Sequence, residues 1–424
     1  MQNWIRGSTD DRKTDEMFPR DGDEHVNPVE AELTMRLAST ARVRHASQPR
    51  VVQLLRRVDS RAYAAALDER GLLSLLGSRL TALAPEAADE VLRSGVEAAK
   101  REARLRALML DTTLRQVVEA LEQRGIVALP LKGTSLADRV HGDPGLRPTT
   151  DVDILVARTQ MDEAVHTLRA IGYPAPEDPV WANGLPEMHY TFIRGDVGSP
   201  RVELHWRVHW SERTFSEELL RSLTEAADGL PRAKPAYEFA LLLLILARDG
   251  LYGPRLVVDI AAWWDRFGDQ LPPGVLDGIV ARNPAVRRSL VAALECLERF
   301  VGVAAHHILT DAAPDRSTRR VVAIADPLIA DDRADVEASI MLIDALLSMG
   351  TEKLGFLQRY YLQPLPFVRS TYGLGEAAAP IVVGRNALHF VGTLVKKSPR
   401  MIRAAVRSPR CPVLQPTQQQ ATDA

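Results

Sequence analysis

The sequence predicts an α+β fold in which a small α/β unit lies between two helical regions. From residue 29 to residue 123, apolar residues recur at spacings of three and four, which is the period of amphipathic helices. Between residues 124 and 215 the pattern changes to short apolar runs bounded by glycine and proline, which is typical of strands. From residue 216 to residue 397 the helical pattern returns, with several proline breaks towards its end.

The two ends of the chain differ from these regions in composition. Residues 1–28 are rich in aspartate, arginine, glycine and proline and show no periodicity, so we expect a disordered leader. Residues 398–424 begin with scattered arginines and end in a Gln/Thr/Pro-rich segment, which predicts a flexible basic and polar tail. This basic run could contact RNA or lipid head groups, but a solvated tail is the favoured interpretation.

Composition excludes several classes of protein. The formal net charge of the 424 residues is −2, so nothing in the overall charge indicates a general nucleic-acid binder. The two cysteines are too few for a disulfide framework and fit a reducing cytoplasm. The longest apolar run, residues 239–247, is far shorter than the ~20 residues of a membrane-spanning helix. We therefore expect a cytoplasmic protein without a membrane partner.

Four segments of the α/β unit are predicted to be strands: residues 126–131, 151–156, 189–194 and 201–210. A short helix is expected after the first strand, reaching about Val140, with Thr134 and Ser135 placed to cap it. A second, amphipathic helix is predicted over residues 160–171.

Two aspartates alternate along the second predicted strand. Because successive side chains of a strand point to opposite faces, Asp151 and Asp153 should share one face. Two adjacent carboxylates repel each other unless a cation lies between them, and Mg²⁺ is commonly held by one or two carboxylates. The spacing alone is a weak signal, since residues 21–23 of the predicted leader repeat it.

A third carboxylate strengthens this interpretation. Glu203 lies between two apolar residues on another predicted strand, where a buried carboxylate is costly unless it is paired or bound to metal. The alternative is a glutamate on the solvent face of its strand. Three carboxylates on neighbouring strands suit phosphoryl transfer assisted by two metal ions. His205 shares the face of Glu203 and could orient a carboxylate, although a structural histidine is the favoured reading.

Lys132 and Gly133 end the first predicted strand just before a helix. Such a junction presents backbone N–H groups and the positive end of the helix dipole to an anion, and Lys132 would add a cation for phosphate. The alternative is an ordinary turn with a surface lysine. Arg147 lies in the loop before the second strand and offers a fork that matches phosphate oxygens, or it is simply a solvated loop residue.

Taken together, the segments LKGTS, DVDIL and VEL resemble the DNA polymerase β-like nucleotidyltransferase superfamily. Residues 129–210 are similar to a family of uncharacterised nucleotidyltransferases through Asp143-Pro144, Arg147-Pro148, Asp151-Val-Asp153 and Glu203-Leu-His-Trp206. The similarity extends over roughly residues 50–300. The chain departs from the pattern in having Thr134 directly after Gly133, His141 in place of an aromatic residue, and Arg248-Asp249 where histidines are expected.

The resemblance implies a polymerase β-like core, a mixed sheet with helices, and transfer of NMP from an NTP such as ATP to an acceptor hydroxyl. Pyrophosphate would be released, and Mg²⁺ or Mn²⁺ would be held by Asp151, Asp153 and Glu203. The expected nucleotide-binding residues are Lys132, Gly133, Thr134, Ser135 and Arg147. The acceptor could be a small molecule, a peptide or protein, or RNA. The alternative is an inactive nucleotide-binding or protein-interaction module on the same fold.

Overall fold

The structure, a computed structural model, describes residues 27–406 except for gaps at 175–187, 195–198, 226–228, 311, 330–335, 351, 362–364, 366–367, 370–372 and 376. The predicted leader lies outside the described residues apart from Asn27 and Pro28. Among the described helices, none is both long enough and apolar enough to cross a membrane.

The N-terminal region is helical, as its periodicity indicates. Its first helix begins where the Asn27 side chain accepts a hydrogen bond from the backbone of Val29, with proline at the first helical position. A single π-helical turn, Leu73–Gly77, interrupts the series. The α-helices are α1 (Pro28–Ala38), α2 (Ala41–Ala46), α3 (Gln48–Leu55), α4 (Ser60–Glu69), α5 (Ser78–Leu83) and the long α6 (Glu90–Glu122).

A four-stranded mixed sheet follows. Its strands are β1 (Ala128–Pro130), β2 (Asp151–Val156), β3 (His189–Phe192) and β4 (Arg201–His205), in the spatial order β1-β2-β4-β3. The central strands β2 and β4 are parallel, and β1 and β3 pair antiparallel on the outer edges. Helix α7 (Thr134–His141) connects β1 to β2, and α8 (Met161–Ala170) follows β2.

Two local predictions are corrected in this region. The segment predicted as a strand over residues 201–210 leaves the sheet after His205, because its partner β3 begins at His189, opposite His205. The short helix is not capped by Thr134 or Ser135. Gly133 occupies the cap position with φ 81° and ψ −139°, and no side chain bonds to the helix end. A glycine is needed there because residues with a side chain rarely adopt that backbone conformation.

One face of the sheet is apolar and covered by helices. Val152, Ile154, Val202 and Leu204 pack in one hydrophobic cluster with residues of α6 and α8, including Leu168. Side chains alternate across a strand, so the intervening Asp151, Asp153 and Glu203 point to the opposite face. The apolar packing therefore decides which face carries the carboxylates.

The C-terminal region returns to helix, and its buried centre is helix α10 (Pro235–Arg248), which is apolar on all sides. A two-stranded sheet of β5 (Leu223–Glu225) and β6 (Pro231–Ala233) precedes it and was not predicted, because three-residue strands are too short for their alternation to be recognised. The helices are α9 (Phe215–Arg221), α10 (Pro235–Arg248), α11 (Pro254–Phe267), α12 (Asp277–Arg282), α13 (Arg287–Val301), α14 (Arg316–Ile329), α15 (Val336–Leu347), α16 (Glu352–Tyr360) and α17 (Ala379–Val406).

The last helix, α17, extends beyond the predicted boundary at residue 397. Residues 398–406 of the expected flexible tail are therefore helical, and residues 407–424 lie outside the described part of the chain.

Replacing Leu204 by alanine tests the packing of the sheet. Leu204 is fully buried on a central strand, so we expect Leu204→Ala to lower the free energy of unfolding by about 2–5 kcal/mol. The matched control is Val127→Ala at a residue that is 46% exposed, where the change should be within about 0.5 kcal/mol. Urea denaturation measures both, and equal losses would contradict the described packing.

Candidate active site

Three carboxylates meet on the face of the sheet opposite the apolar cluster. Asp153 of β2 lies directly opposite Glu203 of the parallel strand β4, and Asp151 lies two residues earlier on the same face. One oxygen of each carboxylate lies within 4.8 Å of one oxygen of both others. The side chains that the alternation predicted to share a face therefore do lie together.

Asp153 is the most buried of the three and has two cationic or hydrogen-bonding neighbours. Its Oδ2 lies 3.3 Å from Nζ of Lys132, and its Oδ1 lies 3.0 Å from Nε2 of His205. Burial raises the pKa of Asp153, but the charge of Lys132 and the hydrogen bond to His205 outweigh it, so the pKa is well below its usual value. This carboxylate is ionised.

The other two carboxylates differ in their environment. Burial, followed by the charge of Asp153, raises the pKa of Asp151. Burial raises the pKa of Glu203 as well, but the nearby His205 and His189 outweigh it and lower the pKa overall. The acidic group is therefore short of positive charge beside Asp151, where like charges add to the cost of burial.

The donor chemistry fits a hard divalent cation. The donors are carboxylate oxygens on two rigid strands, which is the ligand type that Mg²⁺ and Mn²⁺ prefer. Oδ2 of Asp153 is buried and accepts no hydrogen bond from a described residue, although Nζ of Lys132 lies 3.3 Å away. A divalent ion would supply the positive charge that Asp151 lacks.

His205 contacts two of the carboxylates rather than only packing. Its Nε2 lies 3.0 Å from Oδ1 of Asp153 and 3.7 Å from Oε2 of Glu203. Burial lowers the pKa of His205, yet the hydrogen bond to Asp153 and the nearby Glu203 carboxylate raise it above its ordinary value. The possibility that His205 orients a carboxylate therefore agrees with the geometry better than the structural reading that the sequence favoured.

His189 was missed by the sequence analysis. It stands opposite His205 across the antiparallel pair of β3 and β4, and its Nε2 lies 3.4 Å from Oε2 of Glu203. Burial, followed by the charge of His205, lowers the pKa of His189 to about 3, so its ring is neutral. Only the register of this hairpin could have indicated it.

Lys132 follows β1 and turns towards the carboxylates. The backbone N–H of Leu131 donates to the Asp153 carbonyl, which holds Lys132 beside β2. Burial lowers the pKa of Lys132, but the charges of Asp153 and Asp151 raise it above its ordinary value, so it is a cation. Gly133 then starts α7, in which Thr134 is buried and Ser135 is half-buried.

Arg147, which was expected to bind nucleotide, forms a buried ion pair. Its Nε donates to Oδ2 of Asp259 on α11 at 2.5 Å, and His141 approaches the other oxygen of Asp259 at 2.9 Å. Asp259 is fully buried, and its neighbours Arg147 and His141 hold its pKa below the usual value despite that burial. The pair ties the loop before β2 to the C-terminal helices, while the charge of Arg147 still lowers the pKa of Asp151.

A second cation near the carboxylates comes from the end of α10. Nε of Arg248 donates to Oδ1 of Asp249 at 2.8 Å, and the guanidinium is largely buried. Burial lowers the pKa of Arg248, but Asp249 and then the charges of Asp153 and Glu203 raise it overall. Arg248, which stands where the resemblance predicted a histidine, thus adds a permanent positive charge near the acidic group.

Comparison with known proteins identifies the family. A family model described as "Uncharacterised nucleotidyltransferase" matches residues 56–302, which is more than half of the chain. The chain belongs to this nucleotidyltransferase family. No curated protein and no solved structure matches it. The matched range of this nucleotidyltransferase begins just after α3 and includes α4 to α6, all four strands of the mixed sheet, Arg248 and Asp259.

The ion pair of Arg147 and Asp259 allows a test of what Arg147 does in this nucleotidyltransferase. Removing Asp259 takes the carboxylate partner from a buried Arg147, and removing Arg147 leaves the buried Asp259 with His141 as its remaining described partner. Arg147→Ala and Asp259→Ala should therefore each lower stability by about 3–5 kcal/mol. The double variant should lose less than the sum of the two. Thermal and urea denaturation measure these losses.

The control for this prediction is the exposed pair of Arg106 and Glu102 on α6. Arg106→Ala should cost no more than about 1 kcal/mol because solvent screens an exposed ion pair. If Arg147→Ala melts like the wild type but binds NTP more weakly, Arg147 is a phosphate ligand after all and the structural role assigned to its pair is wrong.

Proposed function

We propose that this nucleotidyltransferase transfers NMP from an NTP to an acceptor hydroxyl and releases pyrophosphate, using a polymerase β-like core. The observation that carries the proposal is the convergence of Asp151, Asp153 and Glu203 within 4.8 Å on two paired strands of the sheet. A mixed sheet with helices on its apolar face is compatible with such a core.

Asp151 and Asp153 would hold Mg²⁺ or Mn²⁺, and Glu203 would complete the metal site on the acceptor side. The bound ions would lower the charge of the triphosphate and stabilise the attacking and leaving oxygens. The protein's own contribution is rigid placement, because β2 and β4 are paired along their whole length. His205 holds Asp153 and Glu203 in place through its Nε2.

Lys132, Gly133, Thr134 and Ser135 would bind the β- and γ-phosphates. The Lys132 ammonium lies 3.3 Å from Asp153, so a phosphate that shares a metal ion with Asp153 would lie within reach of it. Gly133 leaves the backbone open for close approach, since only the Asp151 carbonyl and the Thr149 hydroxyl lie within 4 Å of where its Cβ would be. We assign Arg147 to positioning of this loop through Asp259 rather than to phosphate contact.

The acceptor is a small molecule, a peptide or protein, or an RNA end. Incubating the purified protein with each labelled NTP and cell extract identifies the acceptor through the labelled product. A protein that binds NTP and Mg²⁺ tightly but labels nothing in any extract would instead favour the non-catalytic module.

The metal site is tested by Asp153→Asn. Loss of one negative charge should weaken Mn²⁺ binding and reduce product labelling on the order of 10³-fold, corresponding to several kcal/mol of transition-state stabilisation. Titration with Mn²⁺, followed by its electron paramagnetic resonance signal, measures binding without any acceptor. The matched control is Asp162→Asn, an exposed aspartate of α8. Full labelling by Asp153→Asn would remove this residue from the mechanism.

The role of Lys132 is tested by comparing four nucleotides. Lys132→Ala should weaken ATP, GTP, CTP and UTP about equally, because the triphosphate is common to all of them. Loss of one charge-assisted contact corresponds to about 1.5–3 kcal/mol, or roughly ten- to a hundredfold in affinity. The control is Lys353→Ala on an exposed lysine of α16.

Calorimetric titration in Mg²⁺ measures these affinities. A loss confined to one nucleotide would mean that Lys132 recognises the base, and unchanged affinity for all four would exclude it from the binding site.

A further inference from the structure

A second group of possible metal ligands lies beside the three carboxylates. His189 on β3 stands opposite His205 on β4, and Glu203 lies on the same face two residues earlier. One ligand atom of each residue lies within 4.8 Å of the other two. The two imidazole rings are close, with centroids 4.5 Å apart and planes inclined by 37°. The strand register therefore builds a set of two imidazoles and one carboxylate.

His189 is incompletely satisfied in this position. Both of its ring nitrogens are buried and make no hydrogen bond with a described residue, and its 3.4 Å approach to Glu203 is a contact rather than a hydrogen bond. Nδ1 of His205 is also buried and makes no hydrogen bond with a described residue. Leaving a buried polar group without a partner costs about 1–3 kcal/mol, so a ligand bound to these nitrogens would remove that cost.

We propose that His189, Glu203 and His205 bind a transition-metal ion of the Zn²⁺ class at a site that shares Glu203 with the carboxylate group. Imidazole nitrogens together with one carboxylate suit Zn²⁺ and Co²⁺, whereas Mg²⁺ selects oxygen ligands. Three protein ligands leave a fourth tetrahedral position for water.

Sharing Glu203 makes the two metal sites antagonistic. An ion held by His189 and His205 takes the Glu203 carboxylate, which lies within 4.8 Å of Asp151 and Asp153 as well. The oxygen ligands that would hold Mn²⁺ then lose one of their three carboxylates. Binding of the Zn²⁺-class ion should therefore weaken Mn²⁺ binding, and by linkage Mn²⁺ should weaken binding of the other ion by the same factor.

Co²⁺ added to the metal-free full-length protein is the direct probe, because four-coordinate Co²⁺ has visible absorption bands far stronger than those of Co²⁺ bound to oxygen ligands in octahedral geometry. We expect one equivalent to produce these bands in the wild type and in His166→Gln, a control on an exposed histidine of α8. In His189→Gln the affinity should fall at least about a hundredfold, since even outer-shell partners of metal sites contribute about 10- to 100-fold.

Thermal melts in the presence of Zn²⁺ give a second readout that also shows whether each variant folds. Zn²⁺ should raise the melting temperature of the wild type and of His166→Gln but not of His189→Gln. Equal Co²⁺ affinity in His189→Gln and His166→Gln, or only weak octahedral bands in the wild type, would overturn the proposal. The unsatisfied nitrogens would then be bound to water.

Asp151→Asn separates this proposal from the proposed function. It should weaken Mn²⁺ binding while leaving the Co²⁺ bands intact, because Asp151 is not one of the three ligands. Loss of the Co²⁺ bands in Asp151→Asn would place that ion among the carboxylates and overturn the separate site. Wild-type Co²⁺ bands without any Mn²⁺ binding would leave this proposal standing and remove the support for the catalytic metal site.

Discussion

The buried charge of Asp153 is the constraint on which the site depends. A carboxylate that is almost completely shielded from water, on a strand paired on both sides, costs several kcal/mol unless other charges compensate it. Lys132, which follows β1, and His205, which ends β4, supply that compensation from the two strands that flank β2. The position of β2 between β1 and β4 therefore also balances the charge of Asp153, because an order that moved either neighbour away from β2 would separate these partners.

The C-terminal helices belong to the same electrostatic arrangement. Arg248 ends α10 with its charge acting on Asp153, and Asp259 of α11 fixes the loop that leads into β2 through Arg147. The family match likewise extends past the sheet to residue 302. A sheet without these helices would lack a cation and the anchor of its loop, so we regard the helices as part of the site.

Competition for shared ligands follows from this crowding. Glu203 faces Asp151 and Asp153 on one side and His189 and His205 on the other, so its carboxylate can complete an oxygen site or a nitrogen-containing site. All five side chains project from paired strands, so the proposed oxygen site and the proposed nitrogen-containing site would share one rigid framework. If both proposed sites bind metal, the ion that is more abundant would determine which of the two ligand sets is filled.

The sequence by itself determined the order of helical and strand regions and the shared face of Asp151 and Asp153, because period and alternation are local properties of the chain. Glu203 joins that face through the pairing of β2 and β4. The tertiary structure decided what lies next to those carboxylates. Arg147 pairs with Asp259, which lies 112 residues away, and the register of β3 against β4 places His189 beside Glu203 and His205. Contacts between distant segments depend on packing and strand order, and no local pattern of residues encodes them.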